Sequence, residues 1–411
     1  MMLQTDILLK VILFVCVGIY TVMATGQPFR NKETATAFGD ANKAFMLSLL
    51  KQLPQASNVF YSPFSISTAL AMVHLGARTD TLKEMDQVLH FDKMGKDTHS
   101  AFGGYLEYLS KETGDIILKT ANKIYQSMKL KPQETFMKEC EKHFKAAAES
   151  MDFSQSAVAS SKINSWVSQQ TENKIQNLVP ANALNTHTFM VLINAIYFKG
   201  NWKSKFQSEE TKKMEFRNEK DNYMTDMMYQ KDSFRYCHLP DMQIKALDIP
   251  YQGDKLSMLV LLPMAVDGLN DLEKKLSEHL LNDVISNLEE NNVEVYLPKF
   301  KMESTFELRP YLSAMGMSSA FDANIADFSG MDEGKNVYIN EVFHKAFVEV
   351  NEDGSEAAAM TLVLMDCSNH ITHEFRANHP FLFFIRDSVN DVILFSGRFN
   401  QPVETPGKDE L

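Results

Sequence analysis

The sequence predicts an α+β fold organised as one domain, on three observations. Helical and strand patterns alternate through residue 225, and strand-type runs dominate after it. No Pro/Gly/Ser-rich linker, low-complexity tract or repeat of fixed period divides the 411 residues. Apolar residues make up 45%, ordinary for one large core, although length alone would suggest two or three domains.

In chain order, the first element is a leader. Lys10 closes a short opening segment, Val11 to Val22 is an apolar run of 12, and Ala24-Thr-Gly26 supplies small residues at the −3 and −1 positions of a cleavage site. Twelve residues rise only about 18 Å as a helix, too little to cross a bilayer. Residues 1–26 therefore read as a cleavable signal peptide, and no membrane anchor is expected. From Thr34 to Lys51, Ala37, Ala41, Ala44, Phe45 and Leu49 recur at helical spacing and predict a core-facing helix. Ser65 to Leu75 is almost wholly apolar and predicts a buried helix. In the second half, Leu256 to Leu262 and Val392 to Phe395 predict buried strands bounded by turn residues. The 24 methionines, Met224, Met227 and Met228 among them, suit gap-filling core and rim positions better than a cofactor box. The chain closes on Lys408, Asp409, Glu410 and Leu411, an endoplasmic reticulum retrieval signal that a receptor reads. Thr405-Pro-Gly407 in front of it resists helix and strand and leaves the tail free to be gripped.

Charge and motif content exclude several function classes. The net charge of −12 argues against nucleic acid as a partner, since phosphate binding needs a concentrated basic face. The cluster Lys203, Lys205, Lys212 and Lys213 is interleaved with acidic residues. No Gly-x-Ser-x-Gly, His-Glu-x-x-His, P-loop or Gly-x-Gly-x-x-Gly occurs, and no cofactor or enzymatic activity is expected. His370, His373 and His379 fall close together, but the first two read as plain loop residues, and no metal site is assigned. Ser368 beside His370 lacks a third group to orient the histidine. Of four cysteines, Cys16 lies in the leader. Cys140, Cys237 and Cys367 remain, an odd set that reads as two partly buried thiols and one exposed loop thiol. No Asn-x-Ser/Thr sequon is present.

The most informative stretch is Asn351-Glu-Asp-Gly-Ser-Glu-Ala-Ala-Ala-Met-Thr361. An acidic turn and a glycine precede a run of very small residues, poor material for a packed core. A loop without Lys or Arg, Leu362 to Phe375, follows. Written as a strand, Ser355, Ala357, Ala359, Thr361 and Val363 share one face, and Glu356, Ala358, Met360 and Leu362 the other. The first face is small and nearly uncharged, so the segment can slide between existing strands where a bulky or charged residue would be stopped.

The surrounding residues resemble the serpin family across nearly the whole folded chain. Asn58-Val-Phe-Tyr-Ser-Pro-Phe-Ser-Ile-Ser67 is similar to the family's strand-to-helix passage beneath its main sheet. Ile163-Asn-Ser-Trp-Val167 with Thr171 and Lys174-Ile175 resembles a family helix. Leu192-Ile-Asn-Ala-Ile-Tyr-Phe-Lys-Gly-Asn-Trp202 with Phe206 resembles the strand and turn that follow. Leu297-Pro-Lys-Phe300, Ala326-Asp-Phe-Ser-Gly330, His379-Pro-Phe-Leu-Phe-Phe-Ile-Arg386 and Phe395-Ser-Gly-Arg-Phe399 complete the series in order.

The resemblance implies helices packed on a large central mixed sheet, with an exposed, insertable reactive loop, over residues 27–402, followed by the retrieval tail at 403–411. It implies a suicide-substrate inhibitor of serine or cysteine proteases. The protease acylates itself on the loop, and the severed loop then enters the sheet as a new strand. Glu352, Gly354, Ser355 and Glu356 are the expected hinge, and Ala357, Ala358 and Ala359 the first residues to enter. Counting by the family's spacing from Glu352 reaches Ser368, and counting back from Pro380 reaches Asp366. The scissile region is therefore Met365, Asp366, Cys367 and Ser368, with Asp366–Cys367 favoured and Met365–Asp366 next. Asp366 calls for an aspartate-directed protease, Met365 for a chymotrypsin-, elastase- or cathepsin-like one. Trypsin- and furin-like targets are excluded by the missing Lys and Arg. The expected setting is the endoplasmic reticulum lumen and early secretory pathway, as a monomer whose second partner is the retrieval receptor. The alternative is a non-inhibitory serpin acting as a client-binding chaperone there. The small hinge residues favour inhibition.

Overall fold

The structure is a computed structural model that describes residues 28–111, 116–146, 148–334, 337–353 and 372–402. Six helices come first: α1 (Lys32–Leu50), α2 (Pro63–His74), α3 (Thr79–Leu89), α4 (Thr98–Ser110), α5 (Glu134–Phe144) and α6 (Ser156–Gln170). Three shorter ones follow within the strand-rich half, α7 (Leu269–Lys275), α8 (Glu278–Asn287) and α9 (Arg309–Ala314). The strands are β1 (Val59–Tyr61), β2 (Ile116–Ser127), β3 (Glu149–Met151), β4 (Met190–Gly200), β5 (Lys212–Arg217), β6 (Asn222–Leu239) and β7 (Ile244–Pro250). The second set is β8 (Leu256–Pro263), β9 (Glu289–Pro298), β10 (Phe300–Glu307), β11 (Glu341–Val350), β12 (His373–Arg376), β13 (Phe381–Asp387) and β14 (Val392–Phe399).

The strands form two sheets. The larger runs β1-β14-β13-β8-β7-β6-β9-β12, with β5 added on β6. The other has five strands in the order β10-β11-β4-β2-β3. Its pairings are mixed: β10/β11 and β4/β2 are antiparallel, whereas β11/β4 and β2/β3 are parallel.

The apolar run at 65–75 is the element that joins the two sheets. Ser62 caps α2 by accepting from the Ser65 amide, and Pro63 takes the first helical turn, where a missing N–H costs nothing. Every residue of α2 is buried because the helix packs on β14 of one sheet and on β4 and β2 of the other. The five-stranded sheet is covered on its far face too. Ile163 and Val167 of α6 pack against Ala121, Tyr125, Val191, Ile193, Ala195 and Tyr197. Burial on both faces explains why β4 is apolar at consecutive positions and does not alternate. The expected helices and strands at 34–51, 65–75, 256–262 and 392–395 all appear, shifted or extended by a few residues.

No described helix is long and apolar enough to cross a membrane. The leader at 1–26 and the tail at 403–411 lie outside the described residues.

Candidate functional site

The centre of the five-stranded sheet holds a seam. β11 lies beside β4 in parallel, from Glu341 opposite Val191 to Val348 opposite Phe198. The chain leaves β11 at the same end at which β4 runs out into Gly200 and Trp202. A segment that turned back after residue 350 would therefore run antiparallel to both strands if it came between them.

A polar rung crosses the middle of this seam. His344 of β11 stands opposite Asn194 of β4, which stands opposite Asn122 of β2. Asn194 points to the α2 face, together with Leu192 and Ile196. Its amide Nδ2 donates to the Ser65 carbonyl at 2.9 Å, to Ser65 Oγ at 2.6 Å and to Asn122 Oδ1. His344 Nε2 accepts from the Ser62 backbone N–H at 3.2 Å. That bond assigns the imidazole proton to Nδ1, which donates to Asn194 Oδ1. Complete burial lowers the His344 pKa to about 3. A second proton at Nε2 would face the Ser62 N–H, so the neutral ring is the form the site holds.

A clamp closes the seam where β11 ends. Trp202 is 1% exposed, lies flat on Tyr251 at 4.5 Å, and donates from Nε1 to the Asn351 carbonyl at 2.9 Å. The Phe206 amide donates to the Glu352 carbonyl at 3.0 Å. Glu352 Oε1 accepts from Thr211 Oγ1 at 2.9 Å, and Oε2 pairs with Lys299 Nζ at 2.7 Å. Burial acts to raise the Glu352 carboxyl, but the Lys299 and Thr211 hydrogen bonds and the Lys299 charge outweigh it and hold the group below the ordinary glutamate range. Asp353 adds an outer pair with Lys205 at 3.4 Å.

Of the residues expected to act, Glu352 alone is described, and it is the anchor of this clamp. Gly354, Ser355, Glu356, Ala357, Ala358 and Ala359, the scissile candidates Met365, Asp366, Cys367 and Ser368, and the tail Lys408 to Leu411 lie outside the described residues. Two expectations are corrected. The loop expected through Phe375 ends earlier, because His373–Arg376 forms β12, parallel to β9, with Phe375 fully buried. Accordingly His373 is a strand residue, stacked on Tyr236 at 4.9 Å. His379 Nε2 donates to the Pro263 carbonyl at 2.6 Å. Among the described residues no group of three or more His, Cys, Asp or Glu could hold a metal ion. Cys140 and Cys237 are free and buried. The basic cluster is fully paired: Lys203 with Asp254, Lys205 with Asp353, Lys212 with Glu210 and Lys213 with Asp226.

The rung and the clamp partners were not singled out from the sequence as site residues. Asn194 carried a signal, a lone amide in the apolar run Met190–Phe198. Trp202, Thr211 and Lys299 carried none that local patterning reads, since Trp202 meets Asn351 and the other two meet Glu352 only through the fold.

Comparison with known proteins settles the family. A family model described as serpin, serine protease inhibitor, matches residues 40–402. The chain is a serpin. Human Serpin B3 is 41% identical to it over 389 residues, covering 89% of this chain and 100% of that protein. The leukocyte elastase inhibitor of Xenopus tropicalis is 43% identical over 353 residues, covering 84% and 93%. The crystal structure of uncleaved ovalbumin superposes on this serpin with a TM-score of 0.82 at 33% identity, covering 89% of this chain and 100% of that one. The expectation of a protease-inhibitor family member, not a catalyst, agrees with these relatives.

Two outcomes test the site. The folded state holds His344 neutral down to about pH 3, whereas the unfolded chain protonates it near 6.5, so its contribution is intact above 6.5 and is lost as pH falls toward 3. Urea unfolding between pH 7 and pH 4 should show the stability difference between this serpin and its His344→Gln variant shrinking by about 1.4 kcal/mol per pH unit below 6.5. A constant difference would refute the assignment. At the clamp, Glu352→Gln removes the charge facing Lys299 and should lower the first unfolding transition by about 1 to 2 kcal/mol, given that Lys299 is half exposed.

Proposed function

We propose that this serpin inhibits serine or cysteine proteases as a suicide substrate, trapping the acyl-enzyme by inserting its severed loop between β4 and β11. One observation carries the reading: the hinge sequence leaves β11 beside a parallel pair that has room, topologically, for one antiparallel strand. Parallel pairing is slightly less stable per residue than antiparallel. Insertion replaces one parallel ladder by two antiparallel ones, each new hydrogen bond adding on the order of 1 kcal/mol net. The intact state then persists because a barrier holds it. Two parts of that barrier are in view: the Trp202–Asn351 and Lys299–Glu352 contacts, and the His344–Asn194 rung about 23 Å further along, seven residues before Asn351 at ~3.3 Å each.

The nucleophile of the target attacks within Met365 to Ser368, and the small side chains from Ser355 to Ala359 enter first. The leukocyte elastase inhibitors among the relatives support an elastase- or chymotrypsin-like target, which Met365–Asp366 would suit, beside the Asp366–Cys367 bond favoured by the family spacing. Incubation with a protease panel should yield an SDS-stable complex, and mass spectrometry of the released C-terminal peptide should place the cut between Met365 and Ser368. The cleaved protein should melt well above the intact one. Ser355→Arg should be cleaved at an equal rate without forming the complex. Equal trapping by that variant, or an unchanged melting temperature after cleavage, would sink the insertion mechanism.

The setting we propose is the endoplasmic reticulum lumen, supported by the leader at 1–26 and by Lys408, Asp409, Glu410 and Leu411. Expressed in cultured cells, the full chain should stay inside, and a chain cut after Gly407 should appear in the medium. Equal secretion of both would refute retention.

A further inference from the structure

Five titratable side chains from four helices meet on the flank of the five-stranded sheet, away from seam and clamp. His74 closes α2, Asp86 lies on α3, His99 opens α4, and Glu139 and His143 lie on α5. His74 Nε2 is 2.8 Å from Asp86 Oδ1, so that nitrogen carries the proton and donates it. Its other nitrogen, Nδ1, lies 3.1 Å from His99 Nε2. Two ring nitrogens at that separation share one proton, so one ring donates and the other accepts. The His143 ring is 6.3 Å from that of His99, and its Nε2 is 3.1 Å from Glu139 Oε2. Phe91 and Phe144 meet the His74 and His99 rings edge-on and keep the pair partly dry.

Asp86 faces His74 and Glu139 faces His143, whereas among the described residues no contact brings a carboxylate onto His99. With both rings charged, N–H would meet N–H across the 3.1 Å contact, so the pair has no place for two imidazolium rings. The carboxylates at hand are Asp86 from α3 and Glu139 from α5, and Glu139 is shared with Lys142. No three donors among the described residues converge on a metal position, so proton binding is the chemistry the cluster offers.

We propose that His99, packed between His74 and His143, is a proton-operated latch that ties α4 to α2, α3 and α5 at neutral pH and lets α4 and α5 loosen as the pH falls below the ordinary histidine range. Burial, with His74 and His143 adding to it, holds His99 down to about 3 while the helices are closed. An opened His99 takes its proton near 6.5. The latch is therefore fully engaged above 6.5 and weakens as pH falls from there toward 3. In the chain α5 stands between β2 and β3, so its release reaches the edge of the sheet that the inserting strand must enter.

Hydrogen exchange on the full chain tests this, with rates corrected for the chemistry of exchange. Between pH 7.5 and pH 5.5 the opening equilibrium of residues 98–110 and 134–144 should rise about tenfold, as one proton of linkage requires. His99→Gln, neutral at both values, should lose that dependence. An unchanged wild-type rate, or an equal rise in the variant, would overturn the proposal. Should the variant fail to fold, imidazole titration by NMR on the wild type decides. His99 is expected to stay neutral in the closed protein at pH 5.5, and a midpoint near 6.5 with both helices still protected would overturn the latch. Zinc chloride at pH 7.5 is expected to leave exchange unchanged. Zinc-dependent protection that His99→Gln removes would replace the latch with a metal site.

Discussion

The parallel contact between β4 and β11 is the constraint on which the rest of this molecule turns. Two strands that run the same way cannot be joined by a tight turn, so they meet only because distant parts of the chain bring them together. Their neighbours are antiparallel, and the chain emerges from β11 at the end where β4 also stops. An antiparallel strand fits between them without any other strand changing direction. Under the proposed insertion mechanism the intact state is a compromise, stable while closed and able to gain a ladder when opened.

What holds the seam shut is mostly polar, and this follows from where the apolar surface lies. Both faces of the sheet are covered, by α2 on one side and α6 on the other, so hydrophobic burial fixes the layer as a whole. Burial without direction does not decide whether β4 and β11 are adjacent or separated by another strand. Hydrogen bonds do. The rung of His344, Asn194 and Asn122 registers three strands against the N-terminus of α2, and the Trp202 and Glu352 contacts fasten the end of β11. Breaking the rung leaves buried polar groups without partners, a cost of order 1 to 3 kcal/mol apiece, whereas the Lys299–Glu352 pair, half open to solvent on its lysine side, contributes less.

Two neutral histidine sites share one physical logic in different places. At His344 desolvation alone keeps the ring uncharged, inside the sheet. At His99 desolvation is joined by two neighbouring imidazoles, on the helical flank. At His344 the hydrogen bonds leave no nitrogen free for a second proton, and at His99 the facing imidazole leaves no room for two charged rings, so in each case the closed structure resists protonation.

Much of this was legible in the sequence. The buried helix after Ser62 shows in an unbroken apolar run behind a Ser-Pro cap. The family shows in ordered local motifs, because backbone propensity and side-chain size are local properties. The sequence did not reveal that Phe375 closes a strand, since four residues carry too little periodicity and the strand exists only beside β9. Nor did it reveal the partners of Glu352 and Asn351. Lys299 and Thr211 lie 53 and 141 positions from Glu352, Trp202 lies 149 from Asn351, and all three gain their meaning from proximity. The amino-acid order by itself determined where the run of small residues lies and which local motifs surround it. Only the tertiary structure decided that β11 lies parallel to β4 and which remote side chains fasten its end, because register across a parallel pair and the meeting of remote side chains are products of packing.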